Sequence, residues 1–247
     1  MQILGKIKDE FDWLKFAPPE KGEEQWKDGR SAKELAKFFT QHEGEKLPRK
    51  IADILKKYDI FDDDFCCYPE HETKFDECGG KGRQHDLLMV HKDIVVGIEA
   101  KADEPLGDTV EITVKNALKN TSKSRVPERA DGLAKNIFGY NSWDEIKDFR
   151  YQLLTATAGL LQEAVNREIN RALLLIITFM KKGVDSKNKP FFDPQKIKLN
   201  ENDIEKYKNA LSDRFAGQPC IFTYKNQRIE FFIEHINIEI DYSEVYL

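Results

Sequence analysis

The sequence predicts an α/β (α+β) fold, a central mixed β-sheet flanked by helices on both sides. Three observations carry that expectation. A helical period runs through about residues 1–60, the pattern turns extended between Asp64 and Lys101, and long helical patterns then alternate with short apolar runs to the end. Composition agrees: 247 residues, 40% hydrophobic and 34% charged, with 9 Pro and 14 Gly, can bury a substantial core and exclude collagen-like, low-complexity and disordered classes. No repeat or Ser/Gly/Pro-rich linker interrupts the chain, so residues 1–247 are expected to form a single domain with an N-terminal helical segment of about 60 residues.

Taken in order, Ser31 is placed to cap a helix over Ala32 to Thr40, and Pro48 opens another whose Ile51, Ile54 and Leu55 make one apolar stripe. Extended runs follow at Phe65 to His71, Gln84 to His91 and Ile94 to Lys101, the last two rich in Leu, Val and Ile. Helices are expected over Asp108 to Asn120, Glu128 to Tyr140 and Ser142 to Asn166, the last starting near Asp144. Ala172 to Met180 reads as a buried strand. A helix over Asn202 to Ala216 leads to closing strands at Cys220 to Tyr224 and Arg228 to Ile240.

Several function classes drop out. The longest apolar runs, Leu153 to Leu161 and Leu173 to Met180, fall short of the roughly 18 residues that span a bilayer. The N-terminus turns charged at Lys6, unlike a secretory signal, so a soluble, cytoplasmic protein is expected. Four irregularly spaced cysteines give no disulfide framework and are expected to be reduced. Basic residues number 39 against 44 acidic, so any nucleic-acid binding must come from a local patch.

The stretch from Gly82 to Lys101 carries the chemistry. A two-residue turn at Lys92-Asp93 pairs His91 with Ile94, and the same register sets Asp86 opposite Glu99 and Gln84 opposite Lys101. Strand alternation then projects Gln84, Asp86, Glu99 and Lys101 to one side with Leu88, Val90, Val95 and Gly97. Leu87, Met89, Ile94, Val96, Ile98 and Ala100 take the other side. Directly opposed carboxylates destabilise a sheet unless something compensates, and a divalent cation does so. Two carboxylates leave coordination positions for water and a phosphate oxygen, the usual way Mg²⁺ is held. A lysine just beyond the second acid can orient an attacking water and stabilise charge developing on a phosphate.

Asp86, a twelve-residue gap and then Glu99-Ala100-Lys101 resemble the Asp…(Asp/Glu)-x-Lys core of the PD-(D/E)xK nuclease superfamily. The order of elements resembles its restriction-endonuclease-like fold. The runs Glu99-Ala100-Lys101-Ala102-Asp103-Glu104-Pro105-Leu106-Gly107 and Arg150-Tyr151-Gln152-Leu153-Leu154 resemble an uncharacterised prokaryotic branch of it, and the likeness covers most of the chain. The resemblance implies Asp86 and Glu99 as ligands of Mg²⁺ or Mn²⁺, the Ala100 backbone carbonyl as a further ligand, and Lys101 as the water-orienting cation. It adds Glu70, ahead of Glu34, as candidate for an extra acid, and Gln152 as candidate for a polar residue on the following helix. His85 stands where the pattern has Pro. The implied activity is that of a metal-dependent nuclease, a DNA endonuclease of prokaryotic defence or DNA maintenance, as a homodimer or with a partner subunit. The alternative is a catalytically silent module of the same fold that binds or regulates alongside a partner.

Other features read more plainly. Lys115, Lys119, Lys123, Arg125, Arg129 and Lys135 outnumber Glu128 and Asp131 and form a local candidate for a phosphate-backbone track. Cys66, Cys67, His71, Cys78 and His85 fit no paired zinc-ligand spacing, and adjacent cysteines on a strand face opposite ways. His71, beside Glu70, is a candidate neighbour of the site. Gly79-Gly80-Lys81-Gly82 lacks the Gly-Lys-Ser/Thr ending of a phosphate loop and reads as a turn. Trp13, Trp26 and Trp143 read as packing residues.

Overall fold

The computed structural model describes residues 1–4, 7–20, 22–41, 46–102, 104–181 and 193–240; Asp103 of the run after Lys101 thus lies outside the described residues. The strands are β1 (Gln2–Ile3), β2 (Cys66–Thr73), β3 (Arg83–Val90), β4 (Val95–Lys101), β5 (Arg171–Lys181), β6 (Cys220–Tyr224) and β7 (Gln227–Ile240). The α-helices are α1 (Glu10–Phe16), α2 (Ser31–Thr40), α3 (Arg49–Lys56), α4 (Val110–Asn120), α5 (Val126–Leu133), α6 (Tyr151–Asn166) and α7 (Pro194–Phe215). The strands make one mixed sheet in the order β1-β2-β3-β4-β5-β7-β6, with an antiparallel β2-β3-β4 meander joined to parallel β4, β5 and β7.

Each face of the sheet carries its own apolar core. Leu87, Met89, Ile94, Val96, Ile98 and Ala100 pack with Trp13 of α1, Leu35 and Phe39 of α2, and Ile51 and Leu55 of α3. Leu88 and Val95 pack on the opposite face with Val114 of α4, Leu133 of α5, Leu160 and Leu161 of α6, and Tyr207 of α7. The apolar division between the faces is the one the hairpin pattern predicts. β5, covered on both faces, has no room for alternation and is apolar nearly throughout. Trp13 is buried and Trp26 and Trp143 pack at the edges of these cores. Among the described residues no helix is long and apolar enough to cross a membrane.

The hairpin register is the expected one. Pairs run from Val90–Val95 to Leu87–Ile98, and the His91 amide donates to the Ile94 carbonyl at 3.0 Å to close the turn. Boundaries differ where side chains claim backbone groups locally. Ser31 is the first residue of α2 and not its cap; Arg30 takes that position in extended conformation, and Glu34 reaches back to the Gly29 amide at 2.6 Å. The long helix expected from Ser142 is two elements. Ser142 and Glu145 form a capping box on a 3₁₀ turn (Trp143–Ile146), which cannot run on, because Arg150 bridges Thr109 as a β-pair and its Nε binds Asp203 at 2.6 Å. α6 begins only at Tyr151. α5 passes into a π-helical turn (Ala134–Phe138) that Gly139, at φ 76°, terminates ahead of Tyr140. α7 starts earlier than expected, at Pro194, with the Asp193 carboxylate accepting from the Gln195 amide.

Candidate functional site

The sheet comes apart at Asp86. Pairing between β2 and β3 holds on either side of Glu70 and is missing between Glu70 and Asp86, because Glu70 has φ 52°, in the left-handed region. Pairing between β3 and β4 stops at Leu87–Ile98, while β4 continues to Lys101 on its other edge against β5. Released from both ladders, the Asp86 carboxylate accepts the Ala100 amide through Oδ2 at 2.7 Å. A cleft of about 520 Å³ opens there, walled on the far side by Pro19, Glu20 and the start of α2. Glu70, Asp86, Lys101 and Gln152 all line it, although they come from four different elements. Glu99 is fully buried just behind them, and Lys101 is only 7% exposed.

The split also corrects the expected alternation. Gln84 and Asp86 do not share a side with Glu99 and Leu88, because the face of β3 slips by one residue at Asp86. Arg83 and His85 come to Glu99 instead. The Arg83 Nη2 is in direct contact with Glu99 Oε2, His85 Nδ1 lies 3.5 Å from Oε1, and Gln152 Nε2 donates to Oε2 at 3.0 Å. Gln84 turns to Glu70, donating to Oε2 at 2.8 Å. Two glycines make this possible. A Cβ on Gly159 of α6 would lie 2.9 Å from Arg83 Cβ and 3.1 Å from His85 Nε2, and one on Gly97 would lie 3.0 Å from His85 Nδ1. The His85 ring is sandwiched between backbones, and neither of its nitrogens has a hydrogen-bond partner.

Charge in this corner is unevenly compensated. Burial pushes Glu99 up, but the Arg83 charge, His85 and Lys101 outweigh it and hold the carboxyl down at about 2. Burial and the Glu99 charge push Asp86 up to about 6 against the pull of Lys101 and Arg83. Burial, then Asp86 and Glu99, push Glu70 up to about 8. Burial lowers His85 against the opposing pull of Glu99. Three repelling carboxylates are hard oxygen donors that a divalent cation suits, and Glu99 Oε1 is a buried atom with no hydrogen-bond partner. As the side chains stand, no group of three or more His, Cys, Asp or Glu among the described residues is gathered to hold a metal ion. Arg83 and Gln152 already engage Glu99 Oε2.

The remaining candidates sort by contact. His71 does not join Glu70; it binds Glu163 of α6 at 3.2 Å, which Thr73 (2.8 Å) and Arg167 (3.0 Å) also hold. Glu34 faces Gly29 and does not line the cleft. Ala100 is placed by its amide, bound to Asp86. Cys67 is buried and Cys66 exposed, on opposite sides of β2. In the basic stretch, Lys115 pairs with Glu111, Arg125 with Glu128 and Arg129 with Asp76. Arg129 also ties down the glycine-rich turn through the carbonyls of Gly79 and Lys81. Arg83 and His85 were not singled out as site residues by sequence; the one signal was that strict alternation left them facing away from acids they touch.

Two outcomes are expected. Without divalent ions, Glu70 takes up a proton on folding between its ordinary 4.5 and about 8, so stability falls as pH rises through that window. Glu70→Gln flattens the upper part of that fall, as read from urea midpoints at a series of pH values. Gly159→Ala presses on Arg83 and His85; overpacking of about 1–3 kcal/mol is set against a helix-propensity gain of about 1 kcal/mol, for a net loss of up to about 2 kcal/mol by the same measurement.

No curated protein and no solved structure matches the chain. Residues 6–240 match the domain of unknown function DUF6946, and since this is most of the chain, the protein belongs to that family.

Proposed function

We propose that the protein is a divalent-cation-dependent phosphodiester hydrolase, a nuclease acting on DNA. The observation that supports this reading best is the convergence of Asp86, Lys101, Glu70 and Gln152 on one cleft with Glu99 directly behind it. When bound, Mg²⁺ or Mn²⁺ would supply Lewis acidity at the scissile phosphate and a more acidic water. Asp86, Glu99 and the Ala100 carbonyl are the residues proposed to hold it, with Glu70 as a further acid. The chain's own contribution is positioning. The Ala100 amide fixes the Asp86 carboxylate, Gln152 steadies Glu99, and β5 holds the end of β4 so that Lys101 stays in the cleft. Lys101, nearly buried and lining the cleft, has an ammonium group proposed to hydrogen-bond the attacking water and offset charge on the phosphate.

A second reading, a catalytically silent module that binds beside a partner, is favoured by one observation: Arg83 and Gln152 already engage the carboxylate proposed as a metal ligand. Incubation with plasmid, linear and single-stranded DNA and with RNA, in Mg²⁺ or Mn²⁺ against EDTA, separates the two. Metal-dependent products are expected; no products under any condition favours the silent module. In the active protein, Asp86→Ala lowers cleavage by about 100-fold or more, and Lys101→Met lowers it by about 10²–10³ in kcat. Full metal-dependent cleavage by a folded Asp86→Ala protein rules out the assignment.

A further inference from the structure

The cleft beside Asp86 has a size, a charge balance and a surface chemistry that together limit what enters it. Its volume of about 520 Å³ lies within the roughly 300–1,000 Å³ that encloses a ligand of drug size, on the order of one or two nucleotides. Glu20 of the N-terminal wall pairs with Lys81 of the β2–β3 turn at 2.5 Å, tying one side of the opening to the other. The groups to be reached are recessed, with Lys101 only 7% exposed. A duplex stays stiff over about 150 base pairs and carries its phosphates on the outside of two intertwined strands, so it can rest on such an opening without entering it. A single strand can enter. Charge points the same way. Among the described residues the cations lining the cleft are Arg30 on the N-terminal wall and Arg83 and Lys101 on the sheet, and Glu20 and Glu104 line it as well, so no broad positive field meets a polyanion. Outside it, Lys115 is matched by Glu111, Arg125 by Glu128 and Arg129 by Asp76. A face that binds duplex commonly makes about 6–10 phosphate contacts, whereas these few recessed cations suit about two or three phosphates of one strand. Bases of a single strand are held by stacking on aromatic rings, and among the described residues lining the cleft none is aromatic. Gln25, Arg30 and Ser31 instead offer hydrogen bonds suited to phosphate and sugar oxygens.

We propose that the cleft admits a single DNA strand and not an intact duplex, and that it grips the strand by its sugar–phosphate backbone, with Arg30 on one wall and Lys101 on the other. This rests on the hydrolase reading for the choice of a phosphodiester as the ligand. Strand ends and unpaired stretches are then the points of entry, and the bases stay outside the cleft, unread.

The test is fluorescence anisotropy of the full-length protein, in EDTA, with a short labelled DNA strand, the same strand in duplex, and a strand of abasic tetrahydrofuran residues. The single strand is expected to bind about tenfold more tightly than the duplex or better, and the abasic strand within about threefold of the normal one. A smaller preference, no binding of either form, or a larger loss on removing the bases overturns the proposal. Each phosphate neutralised on a single strand contributes about 0.7 to the slope of log affinity against log salt, so a slope no steeper than about −2 is expected, and a steeper one reveals an extended surface track and overturns the proposal. These readouts need no variant. Arg30→Gln is expected to weaken strand binding and make the slope shallower by about 0.7; an unchanged slope in the folded variant overturns the assigned grip. Cleavage in Mg²⁺ or Mn²⁺ tells this proposal apart from the hydrolase reading. Cutting of a relaxed closed circular duplex as fast as of single-stranded DNA overturns the strand proposal and leaves the hydrolase standing. Selective strand binding with no cleavage of any substrate upholds the strand proposal and removes the hydrolase.

Discussion

The site depends on a failure of hydrogen bonding in the middle of a sheet. β-Strands hold together because every backbone amide and carbonyl finds a partner in its neighbour, and at Glu70 and Asp86 that rule is suspended on both sides of β3. The left-handed backbone of Glu70 removes one partner, the divergence of β3 from β4 removes another, and the Asp86 side chain takes over the Ala100 amide that a carbonyl would otherwise have bound. The result is a carboxylate fixed by the backbone, at the mouth of a cleft, in a place where an intact ladder would have left only pleated main chain.

Much of this was legible in the sequence, for identifiable reasons. The Lys92-Asp93 turn between two strongly apolar runs pins the register of β3 on β4, since a slip of one residue would put Leu87, Met89, Val96 and Ile98 on the wrong face. Asp86 and Glu99 follow from that register by counting. What counting cannot supply is the place where a strand stops being regular. A glutamate at positive φ has no sequence signature comparable to that of glycine, so nothing announced the irregularity at Glu70 or the one-residue slip that brings Arg83 and His85 to Glu99. The break between the 3₁₀ turn and α6 was hidden for a related reason. Its cause is a bridge to Thr109 and an ion pair to Asp203, both distant in sequence, while the residues themselves keep a helical pattern.

Charged residues that look alike in the sequence are used very differently in the fold. Arg125 and Arg129, read as part of a surface track, work as fasteners, holding the Glu77–Lys81 turn against α5 through backbone carbonyls. Glu163 is satisfied by His71, Thr73 and Arg167 and is held down at about 2 despite its burial. By contrast Glu70 and Asp86 are both displaced upward by charges they cannot escape. Among the described residues, then, Glu163 has its charge met by neighbouring donors, while Glu70 and Asp86 stand where like charge is gathered at the edge of the cleft.

The far wall of the cleft comes from the N-terminal segment, while the acids and Lys101 stand on the sheet. That segment is fastened by the pairing of Gln2 and Ile3 with β2 and by an apolar core in which α1 to α3 pack on Leu87, Met89, Val96 and Ile98 of the same hairpin that carries the acids. The width of the opening is therefore tied to how the N-terminal helices seat on β3 and β4, and a change in that shared core alters the cleft even where the hairpin register is kept.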